Sequence, residues 1–197
     1  MDFCNLCKLL MNRERLNLLR KAMMAPCREG LPVSRLADMA WLKPATARRH
    51  LRILVEDCSL IEEVRDGRCV SFRAREEADD ENLRRLVSAL LRFFLVEGHG
   101  GCDVNGEMAP DPPFVALLPA LSNAVRVRML SEIRKDGSLS KHALVAHCGL
   151  PETDLRRHLR ILLESDLVGV NGDALSFVEP ADTLSQLFLS IACASSV

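Results

Sequence analysis

Residues 48 to 54 read Arg-Arg-His-Leu-Arg-Ile-Leu, and residues 156 to 162 repeat the same seven letters at an offset of 108. Such self-similarity constrains the chain before any helix or strand is assigned, because whatever the first half builds the second must build again. The match extends backwards at the same offset, with Leu31, Leu36, Leu42 and Leu51 lying over Leu139, Leu144, Leu150 and Leu159. With small length differences, Asn12, Arg15 and Leu19 correspond to Asn123, Arg126 and Leu130, and Ser71-Phe72 to Ser176-Phe177. The stretch 98–113 holds Gly98, Gly100, Gly101, Gly106, Pro110, Pro112 and Pro113 and has no apolar period, as a linker would. The sequence therefore predicts two similar domains, 1–97 and 114–197, joined by a linker at 98–113.

Each repeat spells out an order of elements. Leu6, Leu9, Leu10, Leu16 and Leu19 form a helical stripe that ends at Pro26 to Gly30. A short helix follows over Val33 to Met39, and Pro44 suits the first turn of the helix that carries the heptapeptide. Ala47, Leu51 and Leu54 are spaced i, i+4, i+7, as are Leu155, Leu159 and Leu162, which gives each of these helices one core face. Two β-type runs, Leu60 to Arg65 and Cys69 to Ala74, flank Asp66-Gly67, and Asn171-Gly172 marks the same turn in the second repeat. A last helix has apolar residues at 83, 86, 87, 90, 91 and 94, with a shorter version at 184, 187, 188 and 191. The expected fold is mainly α with small β-hairpins, as two tandem winged helix-turn-helix domains.

Three segments carry a family resemblance: Leu-Ser-Asn-Ala-Val-Arg-Val-Arg-Met-Leu at 121 to 130, Leu-Pro-Val-Ser-Arg-Leu-Ala-Asp-Met-Ala at 31 to 40, and Ala-Arg-Arg-His-Leu-Arg-Ile-Leu at 47 to 54. They resemble the ArsR-type family of bacterial winged-helix repressors, and the resemblance covers nearly both repeats. It implies domains that dimerise through their first and last helices and bind double-stranded operator DNA. With two copies in one chain, it further implies a pseudo-dimer of repeats within the chain, to which the stripes Leu83 to Phe94 and Leu184 to Ile191 would contribute. Those stripes serve equally as each domain's own core, and a further homodimer of the whole chain stays open.

The charge at first argues against a nucleic-acid partner, since 26 Lys and Arg stand against 27 Asp and Glu. Divided at the repeat boundary, residues 1–97 carry +3 and residues 98–197 carry −4, while residues 1–75 alone carry +6. The basic excess thus lies on the helix-turn-helix and hairpin of the first repeat, as phosphate contact requires. At 100° per residue, Ala45, Arg49 and Arg52 fall opposite the core face, with Thr46 and Arg48 on its flanks. Arg49 is the leading candidate for a base edge, because a guanidinium can bond two acceptors of guanine, while Lys43 and Arg52 suit phosphates. Arg65, Arg68 and Arg73 give the hairpin a basic edge. In the second repeat Arg157 and Arg160 stand where Arg49 and Arg52 stand in the first. Glu152 and Asp154, however, replace Pro44 and Thr46, and the second hairpin has no base. The second repeat is therefore expected to bind DNA weakly, or to serve in dimerisation or sensing.

Trp41 occupies the turn where the second repeat has Gly149, and is expected to cover that turn. His50 and His158 lie at the edge of the core face and read as packed or phosphate-adjacent. Cys4, Cys7, His99 and Cys102 make a four-residue set of types that zinc accepts, and are the candidate metal ligands. The other reading of all eight cysteines is buried or free thiols, with no cofactor at all.

No phosphate loop, His-Glu-x-x-His motif or serine elbow is present, so an enzyme is not expected. The start of the chain carries Asp2 and no cleavage site after an apolar run, and prolines interrupt the longest uncharged stretch. A cytoplasmic, nucleoid-associated protein without a membrane partner follows. The function expected is a DNA-binding transcriptional regulator, a repressor by the resemblance, that reads DNA mainly through the first repeat. The alternative is a tandem winged-helix scaffold for protein partners with little DNA affinity.

Overall fold

The computed structural model describes residues 2–24, 30–96 and 111–194. It is mainly helical, with two small antiparallel sheets, and falls into two compact units. Unit 1 spans Leu9–Pro112, and unit 2 joins Asp2–Lys8 to Pro113–Val197. The N-terminal segment thus lies with the second unit, whereas an even division at the linker would leave it with the first. The reason is aromatic packing. The Phe3 ring sits 5.7 Å from Phe188, which stacks on Phe114 at 4.8 Å, and all three rings are buried.

The first apolar stripe, expected as a single helix, forms two: α1 (Phe3–Leu10) and α2 (Arg13–Met23). Between them Asn12 adopts an extended backbone, and its side chain accepts a hydrogen bond from the Arg15 amide at 2.9 Å. That is an N-cap, which stabilises the start of α2 by about 1 kcal/mol and breaks the helix behind it. The chain then forms β1 (Leu31–Pro32), α3 (Val33–Met39), α4 (Pro44–Glu56), β2 (Ile61–Asp66), β3 (Cys69–Ala74) and α5 (Glu81–Val96). Pro44 stands in the first turn of α4, where its missing amide hydrogen costs nothing. On the inner face of α4, Ala47, Leu51 and Leu54 are fully buried, and each leucine contributes about 2 kcal/mol relative to exposure.

Unit 2 repeats this order as α6 (Pro113–Leu121), α7 (Ala124–Asp136), β4 (Ser138–Ser140), α8 (Lys141–Cys148), α9 (Glu152–Glu164), β5 (Val168–Asn171), β6 (Ala174–Phe177) and α10 (Thr183–Ala194). Asn123 caps α7 as Asn12 caps α2, by accepting from the amides of Val125 at 3.0 Å and Arg126 at 3.3 Å. The buried residues of α9 are Leu155, Leu159 and Leu162, the counterparts of the α4 set.

Both hairpins gain a third strand that the sequence reading did not include. The sheets have the same order, β1-β3-β2 and β4-β6-β5, with Leu31 opposite Phe72 and Leu139 opposite Leu175. Entry to β1 depends on Gly30, which has φ +76° and where a Cβ would stand 2.7 Å from the Phe72 carbonyl oxygen. The hairpin turns lie one residue later than expected. Asp66 pairs with Cys69 and Asn171 with Ala174, so the two-residue loops are Gly67-Arg68 and Gly172-Asp173. Each loop opens on a glycine with positive φ, as a type II′ turn requires. Among the described residues, no single helix is long and apolar enough to cross a membrane.

Candidate nucleic-acid interface

α4 and α9 carry the same heptapeptide, and their outer faces differ in how charge is balanced. Lys43, the N-cap of α4, makes no side-chain cap, and the first turn of the helix contains no acidic residue. The amides there and the positive end of the helix dipole are uncompensated. Exposed beside them are Lys43, Ala45, Arg48 and Arg49, with Thr46 half-buried. Among the described residues no carboxylate pairs with Lys43, Arg48 or Arg49. Arg52 does have a partner, Glu56 one turn on at 3.6 Å. In α9, Glu152 and Asp154 occupy the first turn. Arg156, the counterpart of Arg48, binds Glu152 at 2.6 Å, and Arg160 binds Glu164 at 3.1 Å. The proline at position 44 is thus what leaves Arg48 unneutralised. Arg157 is exposed in the second copy and has no carboxylate partner among the described residues.

The hairpin of unit 1 is less cationic than its composition implies. Arg65 pairs with Glu63 at 2.7 Å, and Arg73, half-buried, pairs with Glu62 at 2.6 Å. Both carboxylates belong to β2, and pairs this open to solvent hold the side chains in place more than they stabilise the sheet. Arg68, in the turn itself, is exposed with no ion-pair partner among the described residues. Arg35 on α3 is a further exposed cation in the same condition, and the sequence reading missed it. Its signal was present in the +6 balance of residues 1–75, but no motif pointed to the position.

Arg15 and Arg126 form a matched pair, one behind each helix. Arg15 on α2 donates to the Leu9 carbonyl, and Arg126 on α7 donates to those of Ala120 at 3.2 Å and Pro119 at 2.6 Å. Each guanidinium thereby satisfies the open end of the preceding helix. Burial lowers the pKa of Arg15, with a smaller lowering from Arg49, and burial lowers that of Arg126, with a smaller lowering from Arg157.

The histidines are packed in different ways. His50 is buried, with Nε2 2.9 Å from Glu14 Oε2, whereas His158 is half-buried with Nδ1 3.5 Å from the Arg126 guanidinium. Val125 stands where the first copy has Glu14. Burial lowers the His158 pKa from 6.5, and Arg126 and Arg157 lower it further.

Trp41 does not cover its turn. It is 83% exposed and adopts φ +56°, the left-handed conformation that Gly149 takes at the equivalent place with φ +63°. The Leu42 amide closes the helix behind it by donating to the Ala37 carbonyl at 2.9 Å. The backbone therefore demands a left-handed residue, at a cost of about 1 kcal/mol for a side chain with a Cβ, and packing does not offset that cost.

Of the four candidate metal ligands, His99 and Cys102 lie outside the described residues. Cys7 is buried, and desolvation pushes its thiol well above the ordinary value. Burial and Asp2 also raise Cys4. Among the described residues no group of three or more His, Cys, Asp and Glu is placed to hold a metal ion. Among the described residues Cys4, Cys7, Cys58, Cys69 and Cys148 are free thiols, and burial pushes Cys58 up to about 12.

No protein-family model, no curated protein and no solved structure matches this chain.

Proposed function

We propose that this chain is a duplicated winged helix-turn-helix regulator of transcription that reads duplex DNA mainly through unit 1. In this reading α3 and α4 are the helix-turn-helix and the β2–β3 hairpin is the wing. The observation that carries it is the contrast at the two helix starts. α4 opens on Lys43, Ala45, Arg48 and Arg49 without a carboxylate, while α9 opens on Glu152 and Asp154. A helix N-terminus with free amides and unpaired cations attracts phosphate, and the same backbone with two carboxylates repels it. Arg49 reads a base edge in the major groove, and Lys43, Arg48 and Arg68 hold phosphates. Arg52, Arg65 and Arg73 already carry intramolecular partners and add less to affinity than their number suggests.

Fluorescence anisotropy with labelled genomic fragments at two salt concentrations tests the proposal. With three phosphates neutralised, log affinity falls against log salt with a slope of about −3, and some fragments bind more tightly than others. A second reading, a scaffold for protein partners, draws on the ion pairs that neutralise the unit 1 hairpin and on the exposed Val170 and Val178 of unit 2. It predicts no duplex binding even at low salt.

A further inference from the structure

Trp41 is the chain's single tryptophan, and it occupies the least favourable place for one. Its φ of +56° is a conformation that side chains with a Cβ seldom adopt, and its ring is 83% exposed. The folded chain gains almost no burial from the indole, whereas glycine would relieve the backbone. The equivalent turn of unit 2 has that glycine, Gly149, at φ +63°. The surroundings indicate what kind of surface would cover the ring. Trp41 stands two residues before the N-cap Lys43, within about 7 Å of chain. The side chains that follow are the unpaired cations Lys43, Arg48 and Arg49 and the small exposed Ala45. Asp38, also exposed, precedes the ring, but the residues that follow it are cationic or small, and an exposed aromatic leading into unpaired cations fits a polyanion that also offers an apolar surface.

We propose that Trp41 is a contact residue for duplex DNA at the edge of the α4 footprint, with the indole face against a deoxyribose and Nε1–H donating to a phosphate oxygen. The inference rests on the DNA-binding reading above and adds to it a contact that is not ionic. An indole donor displaces no counterion, so its contribution to affinity does not vary with salt as that of an arginine does.

Three variants test it: Trp41→Gly, Trp41→Phe and, as a charge control, Lys43→Ala. Trp41→Gly is expected to raise the midpoint of thermal unfolding while weakening DNA binding about tenfold at every salt concentration, leaving the salt slope unchanged. Trp41→Phe, which keeps a ring but lacks the N–H, should fall between the two. Lys43→Ala should reduce the slope by about 1. In the unaltered chain, indole emission reports this one site, and it should shift on saturation with DNA. Two results would overturn the proposal while leaving the DNA-binding reading intact: duplex binding with unmoved emission and unchanged affinity of Trp41→Gly, or a lowered unfolding midpoint for that variant. Emission that responds to a protein partner but not to DNA would also overturn it. No duplex binding by the unaltered chain at low salt would remove the underlying reading, and this proposal with it.

Discussion

α4 and α9 share seven consecutive residues, the same three buried positions and the same exposed arginines, yet they present different surfaces to a polyanion. The difference lies outside the shared letters. Pro44 against Glu152 decides whether the first arginine of the motif is free or paired, and Thr46 against Asp154 decides the sign at the helix start. The two hairpins diverge in the same direction, with Arg68 in one turn and Asp173 in the other. A duplicated fold can thus keep its core on both sides while one outer surface changes character, because core positions are constrained by packing and first-turn positions only by charge.

At the core, where substitutions cost most, the two copies should respond alike. Leu51→Ala and Leu159→Ala should each lower the stability of their own unit by about 3 kcal/mol, read as faster hydrogen exchange in that unit. A large effect in one unit and none in the other would mean that the cores are not equivalent. Removing a cap should cost less. Asn12→Ala and Asn123→Ala are expected to destabilise α2 and α7 by about 1 kcal/mol each, measured by denaturant titration. The surface contrast is sharpened by giving α9 the opening turn of α4. In the double variant Glu152→Pro with Asp154→Thr, DNA affinity is expected to rise about threefold, and an unchanged value would show that the first-turn charges do not separate the copies.

The smallest effect concerns pH. Burial, then Arg126 and Arg157, hold the His158 pKa below 6.5, so the folded state favours the neutral ring. Above that value His158 contributes no pH dependence. As pH falls through it, the unfolded chain takes up the proton first, and unit 2 loses stability until the folded ring titrates as well. His158→Asn should flatten this acid-side slope in unit 2. The ring is only half-buried, so solvent keeps the change small.

Much of this arrangement was legible in the sequence. The repeat, the α3 and α4 helices and the buried faces of α4 and α9 follow from periodicity and Pro44 alone. The break between α1 and α2 was harder to see, because the leucine stripe continues across Asn12 and only the cap bond stops the helix. The place of Asp2–Lys8 in unit 2 was not legible, since it depends on Phe3 meeting Phe114 and Phe188 from distant parts of the chain. For the candidate interface, composition located the positive surface but not its internal neutralisation. Glu62 stands opposite Arg73 only in the register set by the Gly67-Arg68 turn, one residue later than expected, and Arg65 reaches Glu63 two residues back on its own strand. Trp41 was misread because an aromatic side chain is usually covered, whereas here the left-handed turn carries it into solvent.

If DNA is read mainly through unit 1, the paired variants Arg49→Ala and Arg157→Ala must respond differently. Measured side by side by anisotropy on the same preferred fragment, Arg49→Ala should lose about thirtyfold in affinity and much of the sequence preference, while Arg157→Ala should stay within about twofold of the unaltered chain. Equal losses from the two would mean that both copies contact DNA alike.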